Sequence, residues 1–156
     1  MNGEVFTEVV KGMMQTLYRV SCTQLRSAAD REDAVQEALR RAWEKRHTLR
    51  DERYAQTWLI RILLNECERI RRKNARMQPV GEVNADCREE QNDALKQAIL
   101  SLEDDLRIPV LLHYVEGYCV EEVARMLRIP AGTVKSRLYR GRKKLRTLLD
   151  EEVFEE

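Results

Sequence analysis

The chain has 156 residues, with 35% charged, 6% aromatic and 28 basic residues against 27 acidic, for a net charge of +1. That length suits one ordinary domain or two small ones, and a split leaves each core marginal. No apolar run approaches the length of a membrane span. The first eight residues carry two acids and no basic stretch of the kind a signal peptide opens with, so a cytoplasmic location is expected, with no membrane insertion.

Strand patterns are nearly absent and helical periodicity runs through most of the sequence. A first helix is expected over 4–27, where Val5, Val9, Met13, Leu17, Val20 and Leu25 form an apolar stripe. A second is expected to about residue 47, with Asp30 as its N-cap, Asp33 in its first turn and Val35, Leu39 and Trp43 on one face. After a polar break at 48–54, a third helix is expected over 55–76. Trp58, Leu59, Ile62, Leu63 and Ile70 form its apolar side, and Arg61, Asn65, Arg69 and Arg72 a polar, mostly basic stripe. Residues 78–93 are acidic and poorly periodic, with Pro79, Gly81, Asn84 and Asp86, and read as a linker.

Further helices are expected over 94–102, 106–115, 120–127 and 133–151. Pro109 belongs in a first turn, Gly117 ends a helix, and 128–132 forms a turn. The fold class expected is all-α: two small helical domains, 1–77 and 94–156, joined by a flexible linker at 78–93.

Charge is unevenly placed along this chain. Residues 128–149 hold eight Lys or Arg and no acid, and 61–76 hold six basic residues against Glu66 and Glu68. Between them, 79–109 carries eight acids against Arg88, Lys96 and Arg107. Two basic segments separated by an acidic one point to nucleic acid, which the near-zero net charge conceals. Cys22, Cys67, Cys87 and Cys119 show no metal-ligand spacing and read as reduced, mostly buried thiols. No metal and no cofactor is expected.

Residues 119–138, CVEEVARMLRIPAGTVKSRL, have the spacing of a helix-turn-helix. Ala124 is small where two helices approach. Val123, Leu127, Ile129, Val134 and Leu138 are apolar where a three-helix core lies, Pro130 and Gly132 punctuate the turn, and Thr133 can cap the second helix. The other face of that helix offers Lys135, Ser136, Arg137, Tyr139, Arg140, Lys143 and Lys144. A helix fits the major groove and reads bases with its N-terminal residues. Arg137 is the candidate for a guanine, worth about 1–3 kcal/mol of discrimination. The later basic residues suit phosphate.

Residues 100–148 resemble region four of the extracytoplasmic-function (ECF) sigma factors of the sigma-70 family, most specifically in GTVKSRL. The resemblance implies a module that reads the minus-thirty-five promoter element and touches the polymerase flap. Thr133 joins the seven residues above as its DNA contacts. Arg128 departs from the family, which usually has glycine there. If the position is left-handed, arginine costs about 1 kcal/mol.

Residues 30–43, DREDAVQEALRRAW, resemble region two of the same family and imply docking on the polymerase clamp helices through Asp33, Gln36, Glu37 and Arg40. Residues 54–73, YAQTWLIRILLNECERIRRK, resemble its promoter-melting helix and imply minus-ten contacts by Arg61, Asn65, Arg69 and Arg72, with a flipped base held in the 47–54 loop. The implied partners are core RNA polymerase, promoter DNA and an anti-sigma factor. The acids of the linker suit a segment threading the polymerase's nucleic-acid path, and equally an ordinary disordered linker.

Two other classes fit less well. An enzyme would need chemistry that His47 and His113 alone do not supply: there is no nucleophile–base arrangement and no phosphate-cradling glycine loop, so no catalytic residue is expected. A helix-turn-helix regulator that does not bind polymerase would leave residues 30–43 unexplained.

Overall fold

The computed structural model describes residues 1–76 and 94–154, and all regular structure within them is helical. The linker expected at 78–93 lies outside the described residues. The chain divides into two compact units, one on each side of residue 86.

In the first unit, α1 spans Gly3–Gln24, α2 Ala28–Lys45 and α3 Ala55–Arg76. Asn2 caps α1, its side-chain oxygen accepting from Val5 N–H at 2.9 Å. Met13, Leu17 and Val20 bury as expected, but Phe6 takes the inward place expected of Val5, which is half-buried. The cap of α2 is Ser27, whose hydroxyl accepts from Asp30 N–H at 3.3 Å. Asp30 therefore lies in the first turn, where its charge favours the helix dipole, instead of capping it.

The buried stripe of α2 is Ala34, Ala38 and Ala42, all fully buried. Alanine every fourth residue lets neighbouring helices approach closely. Val35 and Leu39 are pushed to the flank, half-buried, and Trp43 is 44% exposed, packed edge-on to Phe6 and beneath the Arg46 guanidinium at 3.7 Å. On α3, Leu59, Ile60, Leu63, Cys67 and Ile70 face the core. Arg31 is also buried, its Nη1 donating to the Leu25 and Arg26 carbonyls beyond the end of α1.

In the second unit, α4 spans Ala94–Leu100, α5 Asp104–Val110, α6 Val120–Leu127 and α7 Ala131–Phe154. Pro109 lies deep in α5 instead of its first turn, and the chain continues as one wide π-type turn, Leu111–Val115. A proline inside a helix has no N–H to give the carbonyl four residues back, and a locally wider turn accommodates the break. Gly117, at φ 82°, then closes the segment. His113 is a structural residue, its Nδ1 2.8 Å from the Tyr118 carbonyl.

The core here joins Leu106, Val110 and Leu112 to Val123, Met126, Val134 and Leu138. Leu127 and Ile129 are only half-buried, and Met126 supplies volume that the turn residues were expected to give. Gly141 lets α5 and α7 meet: a Cβ there would lie 2.5 Å from Val110 Cγ2.

Cys67 and Cys119 carry free thiols, the first buried and the second exposed.

Candidate functional site

The helix-turn-helix is α6, the turn 128–130 and α7. Glu122 accepts from Cys119 N–H at 3.2 Å and secures the start of α6. Arg128 ends it in the left-handed region, at φ 56° and ψ 45°. The Ile129 N–H then reaches back to the Ala124 carbonyl at 3.2 Å. Thr133 does not cap α7, which begins two residues earlier. The Pro130 carbonyl takes the first bonds instead, from Thr133 N–H at 3.0 Å and Val134 N–H at 3.2 Å.

Val134, Leu138, Gly141 and Leu145 form the buried stripe of α7. Lys135, Ser136, Tyr139 and Lys143 lie on the opposite, exposed side. Tyr139 is 52% exposed, and the Lys143 ammonium sits 4.8 Å from its ring centre. Thr133 and Arg137 are half-buried on the flank. Arg140 and Lys144 share that flank and are paired within the unit. Arg140 lies 3.6 Å from Asp105, and Lys144 bonds Glu103, both acids at the start of α5. Arg142 and Arg146 were not among the expected contacts, yet both are exposed, and Arg142 lies 6.0 Å from the Tyr139 ring. Projecting the sequence onto a helical wheel would have found them.

On α3, Asn65, Arg69 and Arg72 are exposed and Arg61 is half-buried. The four lie along one side, but their charge is tempered locally. Arg72 donates to Glu68 at 3.1 Å, Arg71 pairs with the same carboxylate, and Arg69 donates to Glu66 at 2.9 Å. The arginines hold the Glu68 carboxyl below its ordinary range, Arg71 contributing most. The 47–54 loop is two short 3₁₀ turns, the second capped by Asp51 accepting from Arg53 N–H at 3.0 Å. Its Tyr54 is 47% exposed at the mouth of α3.

On α2, Asp33, Gln36 and Arg40 are exposed and Glu37 half-buried, on one face. Arg40 is gripped by Glu37 and Glu44, each at 2.5 Å, and Arg41 also donates to Glu37, at 3.1 Å. The two guanidiniums lower the Glu37 carboxyl to about 2, so it is charged throughout the physiological range. The face is thus a fixed lattice of alternating charge, suited to a polar protein surface.

Known proteins carry the same two units. Residues 9–77 match the family model of Sigma-70 region 2, and residues 92–145 that of Sigma-70, region 4. The ECF RNA polymerase sigma factor SigM of Mycobacterium tuberculosis is 31% identical, covering 92% of this chain and 76% of its own. SigW of Bacillus subtilis is 29% identical, over 94% of this chain and 89% of its own. Among solved structures, the sigma factor RpoE, in complex with the anti-sigma factor NepR from Bartonella quintana, superposes with a TM-score of 0.76 and 26% identity, covering 93% of this chain and 96% of that one. CnrH, in complex with the cytosolic domain of CnrY, shares the fold at a TM-score of 0.68 and 23% identity, covering 96% and 90%. Helix-turn-helix, region-two helices and relatives agree: the chain belongs to the ECF sigma factors of the sigma-70 family, which bind RNA polymerase and give it promoter-specific initiation.

Proposed function

We propose that the two units divide the work of initiation. The first docks on the clamp helices through Asp33, Gln36, Glu37 and Arg40, and holds the melted minus-ten strand with Arg61, Asn65, Arg69 and Arg72. The second touches the flap and reads the minus-thirty-five duplex. Within it, Arg137 reads a base from the flank of α7 while Thr133, Lys135, Ser136, Tyr139, Arg140, Lys143 and Lys144 hold the DNA. The observation that carries this division is the exposed outer face of α7, free of acids from residue 131 to 149, behind a buried Val134–Leu138–Gly141–Leu145 stripe.

The factor has no reaction of its own. It contributes binding energy and strand separation, while the polymerase makes the bonds. Partnership with polymerase implies a cytoplasmic location, and no helix among the described residues is long and apolar enough to cross a membrane. The similarity to sigma factors solved with anti-sigma partners supports a regulator of that kind for this chain too.

The test is transcription by core polymerase from fragmented genomic DNA, with and without this protein. Transcripts that need it and share a two-part upstream motif support the division. On that motif, Arg137→Ala should weaken minus-thirty-five binding by about 1–3 kcal/mol relative to random DNA. Lys143→Ala should weaken both alike and lower the salt dependence. Lys144→Ala should do less than Lys143→Ala, because Glu103 already occupies Lys144. A uniform loss from Arg137→Ala would remove it as the base reader.

A further inference from the structure

Glu66 stands out among the acids of the first unit. Its side chain is only 4% exposed, on the flank of α3 beside α2. A buried carboxylate is tolerated when its charge is met at short range, and here two arginines meet it from two helices. Arg69 Nε donates to Oε2 at 2.9 Å, and Arg41 Nε, from α2, lies 2.8 Å from Oε1. Arg41 Nε in turn donates to Glu37 Oε1 at 3.1 Å. Both guanidiniums are engaged through Nε, and their side chains remain 41% exposed at Arg41 and 55% at Arg69. A guanidinium fixed at Nε keeps its Nη N–H groups in a set plane for a second partner, and a fork held in advance loses less entropy when it meets a phosphate.

We propose that Glu66 is a positioning residue that fixes the Arg69 guanidinium for a phosphate of the melted strand, with Arg41 as its second ion-pair partner from α2. The proposal rests on the assignment of Arg69 to the minus-ten strand, and deepens it. It also connects that strand contact, through Arg41, to Glu37 on the face assigned to the polymerase clamp.

The sign of one substitution separates positioning from plain electrostatics. Removing an acid beside a DNA-binding surface raises the local positive potential and should tighten DNA binding. Removing a residue that holds the phosphate-binding fork should loosen it. The experiment measures anisotropy of a fluorescent single-stranded DNA of mixed sequence against core polymerase carrying the full-length factor, at several salt concentrations. Factor–core affinity and thermal unfolding are followed alongside.

Glu66→Gln should bind DNA about three- to tenfold more weakly, the net scale of one ordinary hydrogen bond. In an Arg69→Gln background the same change should add nothing, since Glu66 acts through Arg69. Arg69→Lys keeps the charge but has no Nε to hold, and, at an exposed site, leaves the fold intact. It should lose as much as Arg69→Gln, which decides the matter even if Glu66→Gln fails to fold.

Tighter binding by Glu66→Gln, or wild-type binding by Arg69→Lys, overturns the positioning role while leaving Arg69 as a strand contact. No effect of Arg69→Gln overturns the assignment of Arg69 itself, and the positioning role falls with it.

Discussion

Arg128 holds a left-handed backbone at the end of α6, a conformation that a Cβ makes costly and glycine adopts freely. Its side chain is exposed. Arg128→Gly should therefore stabilise the second unit by up to about 1 kcal/mol, less whatever the glycine gains in unfolded-state entropy, as read by urea unfolding. A loss of stability would mean that the arginine side chain contributes more than its backbone costs. Cys67 gives a pH prediction. Burial pushes its thiol from an ordinary 9.0 up to about 12. The folded form thus favours the neutral thiol, and the stability this confers is complete below about pH 9 and lost as pH rises toward 12. The first unit should melt at progressively lower temperature across that window, and Cys67→Ala should flatten the decline. Iodoacetamide should label Cys119 in the folded protein and reach Cys67 only after unfolding.

Among the elements, α5 and α7 depend on a missing side chain. An alanine at Gly141 would put its Cβ 2.5 Å from Val110 Cγ2, and Val110 is itself fully buried. Gly141→Ala should destabilise the second unit by about 1–3 kcal/mol despite alanine's better helix propensity, measurable by thermal unfolding. Pairing it with Val110→Ala should recover part of the loss, since the smaller partner makes room. The sequence placed α3 and α6 at their observed bounds, because each has a strong apolar stripe and a clear stop. It misread the inward face of α2, where Val35, Leu39 and Trp43 outweighed Ala34, Ala38 and Ala42 in hydrophobicity although small size decides which face fits between close helices. It put Pro109 in a first turn because acids at 103–105 could begin α5 at several positions, and only the packed structure selects Asp104. The basic face of α7 was legible from spacing. The Lys144–Glu103 pair, 41 residues apart, was not, since nothing local links the two.

At the scale of the whole molecule, basic residues and acids are matched almost one for one, and many of the matches are physical contacts. Glu66 and Glu68 answer Arg69, Arg71 and Arg72, and Glu103 and Asp105 answer Lys144 and Arg140. An arginine that leaves a protein carboxylate for a phosphate gains one anion and gives up another, so fewer salt ions are released than the count of basic residues suggests. Random duplex binding by the isolated factor should therefore show a shallower salt dependence than its exposed Lys and Arg would give. Asp105→Asn together with Glu103→Gln should steepen it, in a titration from low to physiological salt. The charge-paired surface has a further consequence for how a promoter is found. A protein with part of its positive charge answered from within should linger less on the bulk of the chromosome than its basic residues alone would dictate, leaving more copies to meet polymerase.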